Sequence, residues 1–358
     1  MNKTNDFESN IQNILAKQNF NQHLFLKFDD CIIRVETTTL ALKQKLEEYL
    51  GPFIFSKDLE TNITVKVIET RPFVPDIPFI DKPPDPGKKK IKEQYCDLDS
   101  GRVVRKKQTG TLFYFNRGEN LALGPCSEND NQIINFINNR FIQWKLDQGC
   151  LLCHAAAVAR NNFGIILAGF SGMGKSTLAL HLMNKGLTFI SNDRLMVNED
   201  GSKLIMYGVP KLPRVNPGTI LNNPTLTGIL EKHELEKFKR VKDDKMWNLE
   251  CKYDVFLDQC FGPGRFRLKS GAKSLVILNW RHEKRPLSFK PVDLKQRIDL
   301  LNTVIKAPGL FYLPERSDQH APASPGDYID LFALCEVFEL SGGINFQQAS
   351  EKCLELIS

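Results

Sequence analysis

The chain has 358 residues, a formal net charge of +6 at pH 7 and nine cysteines. This length allows two domains, and the charge suits phosphate-bearing partners but is too small to indicate a nucleic-acid-binding protein. Cysteines in apolar runs, such as Cys31 and Cys335, are typical of reduced thiols in a cytosolic protein. The first residues show no signal region, and no run reaches the roughly eighteen apolar residues of a membrane helix. We therefore expect a cytoplasmic protein without a membrane partner.

Residues 1–148 are predicted to form an α+β module of unknown role. Alternating apolar residues between turn residues predict strands at 24–28, 31–35 and 62–69 and a β meander at 95–125. Apolar residues at helical spacing predict helices at 38–50 and 130–147. No catalytic constellation is visible in this part of the sequence, so its role cannot be predicted from its residues.

Residues 149–358 are predicted to form a second domain, which contains the pattern G-x-x-x-x-G-K-[ST]. An apolar strand at 164–168 precedes the pattern, and a helix at 178–183 follows it. A strand, a glycine-rich turn and a helix N-terminus bind anions through backbone N–H groups, the helix dipole and the lysine. The predicted nucleotide-binding residues are Gly169, Ser171, Gly172, Met173, Gly174, Lys175, Ser176 and Thr177.

In this P-loop (Walker A) reading, Lys175 reaches the β- and γ-phosphates of a nucleotide and Ser176 binds Mg²⁺. Asp193 ends the next apolar strand, and ligands collect at the carboxyl ends of strands in an open α/β sheet. It is predicted to bind Mg²⁺ or to orient a nucleophile, with a turn or cap aspartate as the alternative. Farther along, Lys211 and Arg214 fit a phosphate clamp and a solvated structural loop equally well.

These residues resemble the catalytic domain of bacterial HPr kinase/phosphorylase. The shared features are a histidine fifteen residues before the first loop glycine (His154), the Gly-x-Ser-Gly-x-Gly-Lys-Ser loop, and a polar pair at the spacing of Asn192-Asp193. The resemblance covers about residues 150–200. It implies an α/β P-loop domain of the HPr kinase and phosphoenolpyruvate carboxykinase kind that uses ATP and Mg²⁺ to phosphorylate a serine. As a whole, the chain is most similar to the HPr kinase-related B group.

One position departs from the family pattern, because Asn192 stands where the family has an aspartate that acts as base and, in phosphorolysis, as acid. Asparagine can hydrogen-bond but cannot take a proton near neutral pH. Asp193 then acts as the base, or it holds His154 while another group acts as the base. For His154 itself, the alternative is a structural histidine of the core. By a looser similarity, Arg265 or Arg267 is expected to neutralise transition-state charge.

The resemblance and the motif together predict a kinase that transfers the γ-phosphate of ATP to a hydroxyl, on a protein serine or on a small-molecule alcohol. A nucleotide-binding regulator that has lost transferase activity is an alternative, for which Asn192 is the evidence. A scaffold whose N-terminal module binds a partner while the loop senses ATP is another. HPr kinase is a hexamer, so the resemblance leaves a homo-oligomer open.

Overall fold

A computed structural model describes residues 3–56, 60–84, 89–241, 246, 249, 251–314 and 323–357. These residues form two compact units. One contains 3–144 and 308–314, and the other contains 145–307 and 323–357. The division after residue 144 lies four residues before the predicted one, and 308–314 groups with the first unit although the sequence places it in the second domain. The functional domain boundaries at 148 and 149 stay a prediction.

The first unit is built on an eight-stranded mixed sheet. In spatial order its strands are β1 (Gln22–Phe28), β2 (Cys31–Thr37), β3 (Ile63–Glu69), β8 (Asn120–Gly124), β7 (Leu112–Phe115), β6 (Arg102–Lys106), β5 (Glu93–Asp97) and β4 (Ile80–Asp81). Its described helices are α1 (Lys3–Ala16), α2 (Leu40–Leu50) and α3 (Asp130–Leu146), with a 3-10 turn at Gly51–Phe53. The predicted helices at 38–50 and 130–147 are confirmed within one or two residues at each end.

Both faces of this sheet are covered, because side chains alternate between the faces along each strand. On β7, Tyr114 contacts Phe7 of α1, with ring centroids 6.0 Å apart. The neighbouring residues Phe113 and Phe115 point the other way and contact Phe136 of α3. Strand β2 runs parallel to β3, and a parallel pair needs a crossover, which α2 supplies.

Residues 308–314 contribute to the core of the first unit. The ring of Phe311 stacks on Phe115 with centroids 5.6 Å apart. The backbone carbonyl of Phe311 accepts a hydrogen bond from the buried Arg140. The side-chain amide of Gln143 bonds both backbone groups of Leu313, at 2.7 and 3.1 Å. A segment from late in the sequence therefore completes a core that is otherwise made of the first 144 residues.

The second unit contains a nine-stranded mixed sheet. Its central path is β12 (Thr188–Ser191), β10 (Ala155–Arg160), β11 (Phe163–Gly169), β17 (Lys269–Leu278), β14 (Lys203–Tyr207), β13 (Leu195–Asp200) and β9 (Leu151–Cys153). Strand β19 (Glu336–Ser341) also pairs with β17, and β18 (Ser288–Pro291) pairs with β19. Among these described strands, β17 is parallel to β11 and β19, and the other pairs are antiparallel.

Short elements surround this sheet. The described helices are α4 (Lys175–Asn184), α5 (Pro217–Leu221), α6 (Lys232–Lys239), α7 (Leu257–Phe261), α8 (Ile298–Leu301), α9 (Pro325–Phe332) and α10 (Phe346–Glu355), with a 3-10 turn at Pro224–Ile229. Strands β15 (Arg214–Val215) and β16 (Tyr253–Asp254) form a separate pair. Across the described residues of both units, every helix is too short or too polar to span a bilayer.

The parallel pairing of β11 with β17 fixes the position of the glycine-rich loop. Gly169, the last residue of β11, is opposite Leu278, the last residue of β17. The loop therefore leaves the sheet at the edge where β17 continues into Asn279 and Trp280. The predicted α/β arrangement is confirmed at this coarse level, with a mixed sheet instead of a plain doubly wound parallel one.

Candidate functional site

The loop between β11 and α4 has a backbone that two of its glycines make feasible. Gly169 has φ +142° and Gly174 has φ +83°, a region that disfavours residues with a side chain. A Cβ on Gly169 would lie 2.7 Å from the carbonyl oxygen of Leu278, and one on Gly174 would lie 2.7 Å from the ring of Phe346. From behind, Trp280 donates its indole N–H to the carbonyl of Met173 at 2.8 Å. These contacts hold the loop in one shape.

Lys175 begins α4, and its ammonium group points back into the loop. The group donates to the carbonyl oxygens of Gly169, at 2.7 Å, and Phe170, at 3.2 Å. The residue is only 9% exposed. Burial, with a contribution from Lys306 and opposed by Asp193, lowers the pKa of Lys175 to about 8. A bound anion would stabilise the charged form, so the lysine is poised for phosphate.

Ser176 and Thr177 follow the lysine on the first turn of α4. The Ser176 hydroxyl donates to the amide oxygen of Asn192 at 2.6 Å. The Thr177 hydroxyl lies 2.9 Å from that of Thr219, on α5. Asn192 comes directly after β12, so the sheet places its side chain beside the loop. The hydroxyl and the amide oxygen are two neutral oxygens of the type that Mg²⁺ binds.

Asp193, the next residue, faces another set of groups. It adopts φ +66°, a left-handed conformation that aspartate tolerates better than most residues. One carboxylate oxygen lies 3.1 Å from Nε2 of His154, and the other lies 3.4 Å from Nζ of Lys306. The sequence pairs Asp193 with Ser176 at a metal ion, whereas the structure places Asn192 beside Ser176 and directs Asp193 to two basic residues.

These neighbours determine the ionisation of Asp193. Desolvation by burial raises the pKa, but the hydrogen bond from His154 and the charges of Lys306 and Arg194 outweigh it and hold the pKa of Asp193 well below its usual range. The side chain is 50% exposed. An ionised carboxylate that a ligand can reach is therefore present at the carboxyl end of β12.

The sequence did not single out Lys306. It follows α8 by five residues, in a short segment bonded to β9: its backbone N–H donates to the carbonyl of Leu152 at 3.2 Å. The backbone N–H of His154 donates in turn to the carbonyl of Val304 at 2.6 Å. The segment thus brings Lys306 and His154 to Asp193 from adjacent stretches of backbone. No motif or spacing marks this lysine, because its position depends on pairing between distant residues.

A cavity of about 420 Å³ lies in front of these groups. One part of it is lined by the glycine-rich loop, the start of α4 and the polar residues beside them, namely Ser171, Gly172, Gly174, Lys175, Ser176, Thr177, His154, Asn192 and Asp193. The other part is lined by the stretch from the loop after β14 to α5 and by two residues after α6, namely Lys211, Leu212, Arg214, Val215, Asn216, Gly218, Thr219, Met246 and Lys252. Asp193 is the one carboxylate among the described lining residues. The cavity therefore favours an anionic ligand.

Two cations on the loop after β14 are held by defined contacts. Arg214 has Nε 3.4 Å from a carboxylate oxygen of Asp254 and Nη2 3.4 Å from the carbonyl of Lys252. Burial and the charges of Arg194 and Arg214, opposed by the two nearby carboxylates, lower the pKa of Lys211 to about 8. The structure thus brings both loop cations, whose role the sequence leaves open, to the cavity wall.

The structure does not bring Arg265 to the cavity. Its guanidinium donates to the carbonyls of Met183, at 2.9 Å, and Leu187, at 2.7 Å, at the carboxyl-terminal end of α4. A ten-residue helix is about 15 Å long, and Lys175 is at its other end. Arg267 likewise donates to the carbonyl of Asn161 at 2.7 Å. The predicted role of Arg265 in neutralising transition-state charge has no geometric support, and both arginines stabilise turns.

Comparison with known proteins tests the predicted resemblance to HPr kinase/phosphorylase. No family model matches the chain. HPr kinase/phosphorylase of Exiguobacterium sp. is 27% identical over 105 residues, which is 28% of this chain and 34% of that protein. The chain resembles HPr kinase/phosphorylase. The match spans about a third of the length of that relative. The predicted family resemblance is confirmed at this level, and the assignment to the B group stays a prediction.

Among solved structures, the HPr(Ser) kinase/phosphatase of Coxiella burnetii is similar over 57% of this chain and 87% of that chain, with 11% sequence identity and a TM-score of 0.29. Within the described part of this HPr kinase-like chain, no group of three or more His, Cys, Asp or Glu side chains is placed to hold a metal ion by itself.

Proposed function

We propose that this HPr kinase-like chain is a kinase that uses ATP and Mg²⁺ to phosphorylate a hydroxyl group. The observation that supports it most is one cavity lined by the loop lysine Lys175, the Ser176–Asn192 pair and the ionised Asp193. A phosphate-binding loop, a pair of metal-binding oxygens and a carboxylate for the acceptor are the parts that phosphoryl transfer needs. The catalytic unit would then be an α/β P-loop domain of the HPr kinase and phosphoenolpyruvate carboxykinase kind.

The residues present fit a nucleotide triphosphate. Glycines with positive φ give the loop the backbone conformation of an anion-binding turn, and burial lowers the pKa of Lys175, so a bound phosphate would stabilise its charged form. Ser176 and Asn192 would hold Mg²⁺, which supplies neutralisation of phosphate charge when bound. Because Asn192 is neutral, the protein itself adds no charge to this metal site, and most of the attraction comes from the phosphates.

Asp193 orients the acceptor hydroxyl in this proposal. A carboxylate with a strongly lowered pKa is a weak base, so it gains little by taking the proton early. Transfer through a loose transition state depends on positioning and on charge neutralisation more than on a base. A carboxylate has about four acceptor sites, and His154 and Lys306 leave some of them for the hydroxyl. His154 and Lys306 then fix the carboxylate and keep it ionised.

A second candidate function is an ATP-binding regulatory protein with weakened or lost transferase activity. Asn192 favours it, because the related family is expected to have an aspartate there and the structure shows a neutral amide beside Ser176. In that case nucleotide binding would persist and transfer would be absent or very slow. Restoring the carboxylate at 192 would then create activity in a protein that has none.

The test uses γ-labelled ATP, Mg²⁺ and cell extract with the purified full chain. Label transfer to a component of the extract is expected for the wild type and is expected to be lost in Lys175→Met and Asp193→Asn. Asparagine tolerates the left-handed backbone, so the second variant removes the charge with little strain. Lys185→Met is the matched control, since this exposed lysine lies at the far end of α4. Transfer that survives both substitutions would refute the proposal.

ATP binding is measured separately by thermal stabilisation. A wild type that is stabilised by ATP but transfers no label would favour the regulatory candidate. A wild type that ATP does not stabilise would refute the nucleotide site itself. In the first case Asn192→Asp shows whether the missing charge is the cause, because it should restore transfer only if the rest of the site is intact.

A further inference from the structure

We propose that the phosphate acceptor is a compact alcohol that carries its own anionic group, a carboxylate or a phosphate, bound by Lys211 and Arg214. This inference rests on the proposed kinase function and names its substrate class. It places the phosphorylated hydroxyl at Asp193 and the anionic group on the loop after β14. A neutral alcohol, or a protein serine without an acidic neighbour, would make no use of these two cations.

The charges that line the cavity support this inference first. Among the described lining residues, Lys175, Lys211, Arg214 and Lys252 are cationic, and Asp193 is the one carboxylate. Lys175 is committed to the loop, where it begins α4 and contacts two loop carbonyls. The remaining cations belong to the opposite wall. An acceptor that lies against this wall therefore meets a surface with excess positive charge.

The backbone holds that wall next to the Asn192-Asp193 turn. The N–H of Val209 donates to the hydroxyl of Ser191 at 3.2 Å, and that hydroxyl donates to the carbonyl of Arg194. A Cβ on Gly208 would collide with the carbonyl of Ile190, so the two backbones are in close contact here. Lys211 thus follows by two residues a backbone N–H, that of Val209, which is bonded to Ser191 at the end of β12, two residues before Asp193.

The two ends of the cavity have different charged neighbours. The charge of Lys175 interacts with Asp193 and Lys306. The charge of Lys211 interacts with Asp193, Arg194, Arg214 and Asp254. Asp193 is common to both groups, and it lines the same cavity as Lys175, Lys211 and Arg214. A hydroxyl placed at Asp193, with the γ-phosphate on the loop side, leaves the rest of the acceptor pointing at Lys211 and Arg214.

Two contacts at 3.4 Å restrain the guanidinium of Arg214, whose side chain is 52% exposed. The residue begins β15, which pairs with β16, and its guanidinium is held by Asp254 and by the carbonyl of Lys252. Arginine binds carboxylate and phosphate groups through parallel N–H donors, and prior fixation reduces the entropy lost on binding. Lys211 supplies a point charge close by. The pair therefore discriminates an acidic acceptor from its neutral analogue.

The reaction balances without any other co-reactant. The bond between the γ-phosphorus of ATP and its bridging oxygen breaks, and a bond from the acceptor hydroxyl oxygen to that phosphorus forms. ADP leaves with the bridging oxygen. The hydroxyl, held by its hydrogen bond to Asp193, loses its proton to solvent as the new bond completes. The product is a phosphate monoester that keeps its original carboxylate or phosphate group.

The experiment uses matched pairs of small alcohols that differ in the anionic group: glycerate and glycerol, and glycerol 3-phosphate and glycerol. ADP formation is followed with the full chain, ATP and Mg²⁺. We expect the acidic member of at least one pair to exceed its neutral partner by about tenfold or more in kcat/KM. The carboxylate and phosphate arms separate the two forms of the anion. Equal rates within every pair would overturn the inference.

Variants separate the acceptor from the nucleotide. Lys211→Met and Arg214→Gln should each raise the KM for the acidic acceptor about tenfold or more and change the KM for ATP less than about threefold. Lys185→Met is the control. A rise in the KM for ATP as large as that for the acceptor would show that these cations serve the nucleotide, and would overturn the inference.

A binding measurement decides the case without turnover. With a nonhydrolysable ATP analogue and Mg²⁺, the acidic compounds should add thermal stabilisation that Arg214→Gln removes. If none of them stabilises the protein or is phosphorylated while a protein in the extract is labelled, the small acidic acceptor is wrong and the kinase stands. If no label is transferred to any acceptor, the proposed function itself fails.

Discussion

Substituting Asn192 by aspartate should increase the dependence of ATP binding on Mg²⁺. The new carboxylate would lie about where the amide oxygen is now, 2.6 Å from the Ser176 hydroxyl. A carboxylate and the doubly charged Mg²⁺ about 4 Å apart interact by about 8 kcal/mol at an effective dielectric constant of about 20. Repulsion from the phosphates and desolvation of the carboxylate offset most of this. A net gain of about 1–2 kcal/mol corresponds to an Mg²⁺ midpoint lowered about 5–30-fold.

The assay is thermal stabilisation at a fixed ATP concentration as Mg²⁺ is titrated, for the wild type and for Asn192→Asp. Without Mg²⁺ the variant should bind ATP more weakly than the wild type, because the added charge then faces only phosphates. Asn216→Asp is the matched control, since Asn216 lines the same cavity and does not contact Ser176. A midpoint within about twofold of wild type, or an equal shift in the control, would refute the metal role of Ser176 and Asn192.

Other outcomes follow from the same geometry. Lys175→Met should abolish stabilisation by ATP. The same variant tests the pH dependence of folding. The pKa of Lys175 is about 8 in the folded protein and 10.5 for the free side chain, so the unfolded state binds more protons between these two pH values. The stability of the wild type relative to Lys175→Met should thus rise from pH 8 to 10.5 in urea titrations. Gly174→Ala should lower the free energy of unfolding by about 2–4 kcal/mol in the same assay, because of backbone strain and the contact with Phe346. Gly172→Ala, whose Cβ would have nothing within 4 Å, should lower it by about 1 kcal/mol. Equal losses for the two variants would contradict this. Phe311→Ala should destabilise the protein by about 2 kcal/mol, and no change in urea midpoint would show that its ring does not support the core.

The local part of the site was predictable from the sequence. A strand, a glycine-rich turn and a helix within about twenty residues specify one another, so the position of Lys175 needed no information from elsewhere in the chain. Placing His154 near Asp193 needed more, namely the family resemblance, and the structure brings the two within hydrogen-bonding distance. The wider α/β class also followed from helix and strand periodicity.

Other features depend on geometry that a sequence pattern does not carry. Which of two consecutive residues faces the loop depends on the left-handed φ of Asp193, so the sequence pattern could not show that Asn192 is the member of the pair that contacts Ser176. Lys306 reaches the site through backbone pairing with β9, more than a hundred residues before it. Arg265 was selected by a loose loop similarity, which says nothing about which end of α4 the loop meets.

The contribution of Phe311 to the first unit has a consequence for synthesis of the chain. The aromatic group around Phe115 and Phe136 remains incomplete until Phe311 has left the ribosome, roughly 170 residues after Trp144. At about 5–20 residues per second, that interval is on the order of 10–30 s. During this time the nascent first unit would expose apolar rings while most of the second unit is still being made. Chaperone binding to nascent chains should therefore end only after residue 311 emerges.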